Sequence, residues 1–307
     1  MDTYSDIRLF ALIIKLGHMA AAAQELGVTP PVISRRLALL EKRLGVRLLN
    51  RTTRKLSLTP EGETYLMQGV RLLEEMEALE GSIAGGRLQP QGTVKIAATF
   101  GFGRTYVTPA LSSFVREFPK IDVQLHLSEK SVNLVDQGLD LMIRFGEPAD
   151  SRLSARLLAR NRRILCAAPA YLSAMGTPTH PRDLGRHSCI FIREADETFG
   201  TWHFSNGSES ETVKVRSRLS TNDGNSALAW ALDGQGILIR SLWEATPHLR
   251  TGALVPLLQD WSTPPADIYL VFQTGSQMPA KVRVLIDWLL KYFEPRRAGG
   301  RSGGNVW

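Results

Sequence analysis

The chain has 307 residues, 43% hydrophobic and 22% charged, the balance of a soluble globular protein long enough for two or three domains and a large core. No apolar run approaches the roughly 20 residues that span a bilayer, and Met1-Asp2-Thr3-Tyr4-Ser5-Asp6 lacks a signal peptide's basic start, so a cytoplasmic protein without a membrane partner is expected. Of the net charge of +7, residues 1–60 hold +6, from ten Lys/Arg against four acids, which is the footprint of a phosphate-binding module.

The first predicted helix covers about residues 3–16, with Ile7, Phe10, Ala11 and Ile14 at i, i+3, i+4, i+7. Residues 18–45 then read as two short helices joined by a tight turn. Leu26-Gly27-Val28 closes the first with a glycine suited to the left-handed conformation, and Thr29 offers a hydroxyl N-cap to the second. Pro30 and Pro31 occupy its first turn, where a missing amide hydrogen matters least. Ile33, Leu37, Leu40 and Leu44 form a buried stripe, and Pro31, Ser34, Arg35 and Ala38 share the small, polar and cationic arc that a major groove accepts. Arg36 adds a second cation beside it. The run from Val46 to Gly62 reads as a two-stranded hairpin with Arg51-Thr52-Thr53-Arg54 at its tip, a basic wing for phosphates or a minor groove. Thr29, Pro31, Ser34, Arg35, Arg36, Arg51, Thr53 and Arg54 are therefore the candidate contacts to double-stranded DNA.

Residues 1–65 resemble the winged helix-turn-helix of the LysR-type transcriptional regulators. Phe10, Gly17, Ala22-Ala23, Leu26, Val32, Ser34, Leu37, Leu40-Glu41, Leu44-Gly45, Leu48, Arg51, Arg54, Leu58-Thr59 and Gly62 carry the likeness. His18 and Ala20 stand where the family usually has serine, Leu49 where it has phenylalanine, and Pro30 where it often has glutamine.

From Glu61 to about Ile83 a helix carries Leu66, Leu73 and Met76 on an apolar stripe beside Glu74, Glu75, Glu77 and Glu80. A second copy of the helix or the helix's own chain could cover that stripe. The resemblance implies the former, an antiparallel linker-helix dimer with Leu66, Leu73 and Met76 in its seam. Gly85 to Gly92 has the composition of a hinge.

From Thr93 strands and helices alternate. Strands are predicted at 94–98, 123–127 and 141–144 and helices at 105–118 and 131–137. A second unit follows, with strands at 164–168, 188–192, near Trp202, at 213–215 and 237–239, and helices near Tyr171 and at 226–232. Strand 268–272 and helix 280–292 return to the first unit. The order predicts parallel pairing through crossover helices and two lobes about a cleft. The phrases Asp140-Leu141-Met142-Ile143-Arg144, Ala168-Pro169-Ala170-Tyr171-Leu172 and Pro181-Arg182-Asp183-Leu184 resemble the effector domain of the same family, which has the periplasmic-binding-protein fold. The expected fold class is thus multidomain α and α/β. Residues 1–60 form the winged helix-turn-helix, 61–89 the linker helix and hinge, and 90–295 the effector domain. Within it, lobe I covers about 92–160 and 268–295 and lobe II about 161–267, and 296–307 form a flexible tail.

Ligands in α/β sheets bind at the carboxyl ends of strands, which selects Thr99-Phe100-Gly101 in the first lobe and Thr221-Asn222 in the second. Ser128 adds a hydroxyl, and the resemblance also places inducers at Thr99 and Asn222. Arg144 ends a strand and offers a fork to a small carboxylate, or pairs with Glu147.

Cys166 and Cys189 have apolar neighbours and no Cys-x-x-Cys spacing, and no two of the six histidines lie three or four apart. Buried free thiols, no metal and no cofactor are expected. Gly101-Phe102-Gly103 lacks the third glycine of a dinucleotide fingerprint, and Gly300-Arg301-Ser302-Gly303-Gly304 lacks the strand and helix of a nucleophile elbow. The sequence therefore describes no enzyme. The resemblance implies a regulator that acts as a homodimer or homotetramer on an interrupted inverted repeat, answers a small effector and works with RNA polymerase. A DNA-tethered enzyme and a constitutive architectural DNA binder are the alternatives.

Overall fold

Helix capping and the spacing of apolar residues set the first third of the chain. The structure is a computed structural model describing residues 3–52, 55–83, 90–129, 134, 136–148, 152–192, 200–274, 278–298 and 307. They fall into two compact units, 1–89 with 276–280 and 90–275 with 281–307.

In the first unit, α1 (Thr3–Leu16), α2 (Met19–Glu25) and α3 (Pro30–Leu44) close on Phe10, Ile13, Ala22, Ala23, Ile33, Leu37 and Leu40. The buried side of α1 runs through Ile7, Leu9, Phe10 and Ile13, leaving Ala11 and Ile14 half-buried. His18 does the capping work of the missing serine, its Nδ1 accepting the Ala21 amide at 3.1 Å. Thr29 is extended and precedes α3, but its hydroxyl makes no capping hydrogen bond. The reason is local: Pro31 has no amide hydrogen, and that of Val32 goes to the Thr29 carbonyl at 3.0 Å. Gly45 ends α3 with φ +72°, the left-handed conformation that glycine adopts without penalty. Leu44, expected in the stripe, is 37% exposed at the last residue of α3.

The wing pairs β1 (Leu49–Thr52) with β2 (Lys55–Leu58), Leu49 opposite Leu58 and Thr52 opposite Lys55. Glu41 anchors its start by accepting from the amides of Leu48 and Leu49 at 2.8 and 3.3 Å. Thr59 then opens α4 (Pro60–Ile83), its hydroxyl donating to the Arg47 carbonyl at 2.7 Å and accepting from the Gly62 amide at 3.0 Å. A Cβ at Gly62 would overlap the Leu48 carbonyl, so α4 needs glycine there to lie against the wing.

The second unit begins with β3 (Gly92–Ala98), then α5 (Phe100–Phe102), a π turn at Gly103–Val107 and α6 (Thr108–Glu117). These run on as one helical stretch, with a π turn of the kind that often marks functional sites. With β4 (Ile121–Leu127), β5 (Leu141–Phe145) and β6 (Leu153–Ala159), the first lobe builds a sheet of order β4-β3-β5-β14-β6, where β14 is Ile268–Gln273. The second lobe contains β7 (Arg163–Ala167), α7 (Pro169–Met175) and β8 (Ser188–Ile192). The hairpin β9 (Thr201–Ser205) and β10 (Ser210–Lys214), β11 (Arg216–Thr221) and α8 (Gly224–Leu232) follow. It ends with β12 (Ile237–Ser241), α9 (Leu242–Arg250) and β13 (Val255–Leu257), in a sheet of order β11-β8-β12-β7-β13.

The expectation of parallel pairing holds for β3 with β4 and β5 and for β8 with β11 and β12. It fails for β14 and β7, which run antiparallel to their neighbours. Each is fed across from the other lobe, so no crossover helix dictates its direction. The helix expected at 131–137 falls mostly outside the described residues; of those, Leu134 is buried and 136–138 form a turn. The two crossing segments are stitched together by Asn161, whose amide donates to Asp267 at 2.8 Å and whose Nδ2 donates to the Ala266 carbonyl at 2.8 Å.

Beyond α10 (Ala280–Tyr292), Arg296–Ala298 belong to α11 (Glu294–Ala298), and residues 299–306 of the expected tail lie outside the described residues. The Arg296 guanidinium lies 4.9 Å from the Tyr106 ring and 5.4 Å from that of Trp307, and Trp307 Nε1 donates to the Arg160 carbonyl at 3.0 Å. Cation-π stacking is an anchor that glycine-rich composition conceals. No helix of the described residues is long and apolar enough to cross a membrane.

Both cysteines are fully buried, which pushes each thiol up to about 12. Native protein at pH 8 is expected to leave both unreacted with iodoacetamide and to take up two equivalents once unfolded. Fast native labelling would show that either thiol is exposed.

Candidate functional site

Two regions gather the side chains singled out by sequence. On α3, Thr29, Pro31 and Arg35 are exposed, and Ser34 is half-buried with its Oγ 3.3 Å from Met19 Sδ. Arg36 turns the other way. Its Nη2 donates to Ser5 Oγ at 2.7 Å and lies 3.5 Å from Oδ1 of Asp6, whose Oδ2 accepts from Arg43 Nη2 at 3.0 Å. Asp6 is 1% exposed, so these two arginines neutralise a buried carboxylate and tie α3 to α1. Nothing in the local sequence of Asp6 signals this role. On the wing, Arg51 lies on β1 with its side chain outside the described residues, as are Thr53 and Arg54 altogether.

On α4 the three stripe residues differ in their surroundings. Leu66 packs against the core of its own unit, Leu73 is half-buried and Met76 is 45% exposed. Leu72, a neighbour on the same helix, is 56% exposed.

The second region lies between the lobes. Thr99 precedes α5 with extended backbone and no capping hydrogen bond from its hydroxyl. The Phe100 amide donates to Glu129 Oε1 at 2.8 Å, and Ser128 is tied to β3 by its amide, 3.0 Å from the Ala98 carbonyl. Gly103 is a packing glycine, since a Cβ there would overlap the Leu127 side chain. In the facing lobe Thr221 Oγ1 accepts the Asp223 amide at 3.0 Å, Asn222 is exposed, and Asp223 caps α8 by accepting from the Ser226 amide and hydroxyl at 3.1 and 2.8 Å. Burial pushes the Asp223 carboxyl up, but hydrogen bonds from Ser226 and Asn225 and the charge of Arg104 outweigh it and hold the group below its ordinary range.

The loops meet. Arg104 Nη2 approaches Asp223 Oδ1 at 3.8 Å across the cleft, and its guanidinium covers the Phe100 ring at 5.5 Å. A Cβ at Gly101 would stand 3.2 Å from Trp243, 3.7 Å from Arg240 Nη2 and 3.8 Å from Asn225 Oδ1, so the lobes close to contact distance at this glycine. Trp243 also packs edge-on against Phe102 and Tyr106, each with centroids 5.6 Å apart. Sequence reading missed Arg104, Arg240, Trp243 and Glu244. The available signal was an arginine directly after the apolar run Ile237-Leu238-Ile239 with a glutamate four residues on.

Arg144 is not among the groups at the Gly101 loop. It stands on the opposite face of β5 from Phe145, whose ring packs 5.9 Å from Phe102, and no ion pair joins it to Glu147 among the described residues.

Residues 4–63 match the bacterial regulatory helix-turn-helix protein, lysR family, and residues 87–294 match the LysR substrate binding domain. The chain is 38% identical over 289 residues to the HTH-type transcriptional regulator DmlR of Escherichia coli, covering 94% of each chain. It is 35% identical over 301 residues to the HTH-type transcriptional activator TtdR of the same organism, covering 98% of this chain and 97% of that one. The full-length virulence activator AphB of Vibrio cholerae superposes with a TM-score of 0.60 at 29% identity, over 94% of this chain and 99% of the other. CrgA of Neisseria meningitidis does so with a TM-score of 0.59 at 29% identity, over 94% and 98%. With two family domains in order and relatives matched along nearly their full length, the chain belongs to the LysR family of DNA-binding transcriptional regulators, proteins that answer to a small effector and catalyse no reaction.

Proposed function

We propose that this regulator acts in the cytoplasm as a homodimer or homotetramer joined through α4, binds an interrupted inverted repeat with α3 and the wing, and takes its effector between the two lobes. The observation that carries the reading is the closure at Gly101, where the loop after β3 meets Asn225, Arg240 and Trp243 of the facing lobe. An occupant of that gap contacts both lobes and changes their spacing, and a ligand that binds one arrangement better than another shifts the population toward it. Thr99, Phe100 and Gly101 from one side and Thr221 and Asn222 from the other supply the contacts, with Ser128 beside them. Arg144 is held in reserve as a more distant cation. RNA polymerase is the partner through which the change in DNA geometry is read.

The DNA half of the proposal is tested at Arg35, the exposed cation of α3. Arg35→Ala is expected to lose about 1–3 kcal/mol on the cognate site and to relax preference at one base position. Arg54→Ala should weaken every sequence alike and lower the salt slope by about one unit. Fluorescence anisotropy on cognate and scrambled duplexes at several salt concentrations separates the two, and equal weakening by Arg35→Ala on both duplexes would reduce Arg35 to a phosphate contact.

A further inference from the structure

The Arg240 side chain is 12% exposed and that of its partner Glu244, one turn on, is 10% exposed, with Nε of the arginine facing Oε2 of the glutamate. This pair is not spent on the fold alone. Its terminal nitrogens Nη1 and Nη2 have no hydrogen-bond partner among the described residues. Nη2 lies against the first residue of α8, so closely that a Cβ at Gly224 would overlap the guanidinium, and 3.7 Å from where a Cβ of Gly101 would stand. The Asp223 carboxylate caps the same end of α8, so the guanidinium stands where Glu244 and the capped helix end meet. Beside it the Trp243 indole, 5.9 Å from the guanidinium carbon, has a buried Nε1 that likewise lacks a partner. Buried polar groups in folded proteins are almost always satisfied, so the orphaned Trp243 Nε1 beside two unpaired Nη donors marks a place for a ligand.

We propose that Arg240 is the carboxylate-recognition residue of the effector cleft: its Nη1 and Nη2 form a two-pronged fork for one carboxylate of a small organic acid lying between Gly101 and Gly224. The proposal rests on the cleft reading above and adds the ligand class and the residue that selects it. Glu244 pairs with the guanidinium and Asp223 already caps α8, so what remains for a ligand is the two Nη donors, a match for one singly charged two-oxygen group. A phosphate dianion would meet the repulsion of Glu244. Arg240 is a binding residue in this scheme, and Glu244 positions it by fixing Nε so that the Nη pair faces the gap.

The test titrates the full chain calorimetrically with acetate, lactate, succinate and benzoate, with acetamide, lactamide, succinamide and benzamide, and with inorganic phosphate. At least one acid is expected to bind, with its amide and phosphate silent. Arg240→Lys should weaken that acid about tenfold or more, because one ammonium cannot reproduce the fork. The double variant Arg240→Gln with Glu244→Gln removes both charges together, so no buried ion is stranded, and it should melt cooperatively yet fail to bind. Wild-type affinity in both Arg240 variants with loss in Asn222→Ala would overturn the role of Arg240 and keep the cleft. Loss in the Arg240 variants with full affinity in Asn222→Ala and Thr99→Val would sustain Arg240 and sink the loop contacts. Equal binding of acid and amide, tight binding of phosphate, or no acid bound by wild type would overturn the carboxylate assignment.

Discussion

Met76→Lys and Leu73→Lys are each expected to leave the protein monomeric by light scattering and to abolish operator binding. Met76 and Leu72, one turn apart, expose 45% and 56% of their surface on α4 in the single chain, a helix of 24 residues about 36 Å long. Because Met76 is already exposed, a lysine there leaves the protomer undisturbed, so any loss of assembly comes from a charge placed in the seam. Burying that ammonium without a partner costs on the order of several kcal/mol. Leu73 is half-buried, and its lysine variant reports on both the seam and the protomer. Loss of half-site pairing follows, since a monomer engages one half of an inverted repeat. Variants that remain oligomeric and bind normally would move the seam off α4. Leu66 contributes differently: it belongs to the core of the first unit, so its substitution should lower thermal stability before it touches assembly.

Thr99→Val and Asn222→Ala are expected to abolish the inducer response in a reporter assay while leaving operator binding without inducer intact. The Thr99 hydroxyl makes no cap and the Asn222 amide is exposed with no hydrogen bond among the described residues, so neither supports the fold. Valine keeps the shape of threonine and removes only the hydroxyl. A ligand whose polar group loses its partner on binding forfeits about 1–3 kcal/mol per unsatisfied group, up to roughly a hundredfold in affinity. Thr221 is expected to respond less cleanly, because its Oγ1 holds the Asp223 amide and so shapes the loop before any ligand arrives. Full induction in both variants would send the search to another pocket.

The helix-turn-helix was legible because its determinants are local. Gly27 and Gly45 take positive φ where the sequence calls for helix ends, and Ile33, Leu37 and Leu40 are buried as their spacing predicts. What escaped was set by distant partners. β6 and β11 carry arginines in mixed runs, Leu-Ser-Ala-Arg-Leu-Leu-Ala and Arg-Ser-Arg-Leu-Ser-Thr, and are strands because β14 and β8 pair with them. α9 contains Pro247, a helix breaker by propensity, and persists because Trp243, Ala245 and Thr246 bury one face. The same limit applies to the cleft. The loops Thr99-Phe100-Gly101 and Thr221-Asn222 could be placed from the strand order, whereas Arg240 faces Gly101 only after two lobes have folded. Arg36 shows the converse, a basic residue on a recognition helix that a buried Asp6 recruits to the interior.

DNase I footprinting of the full chain on the DNA flanking its own reading frame, with and without the organic acid that binds it calorimetrically, tests the central claim most directly. Two protected half-sites in inverted orientation should appear without the acid, and saturating acid should change their spacing or the hypersensitive bands between them, with no such change in Asn222→Ala. Protection without sequence preference, or a pattern that saturating acid leaves unaltered in the wild type, would contradict an effector-controlled regulator and favour a constitutive DNA binder.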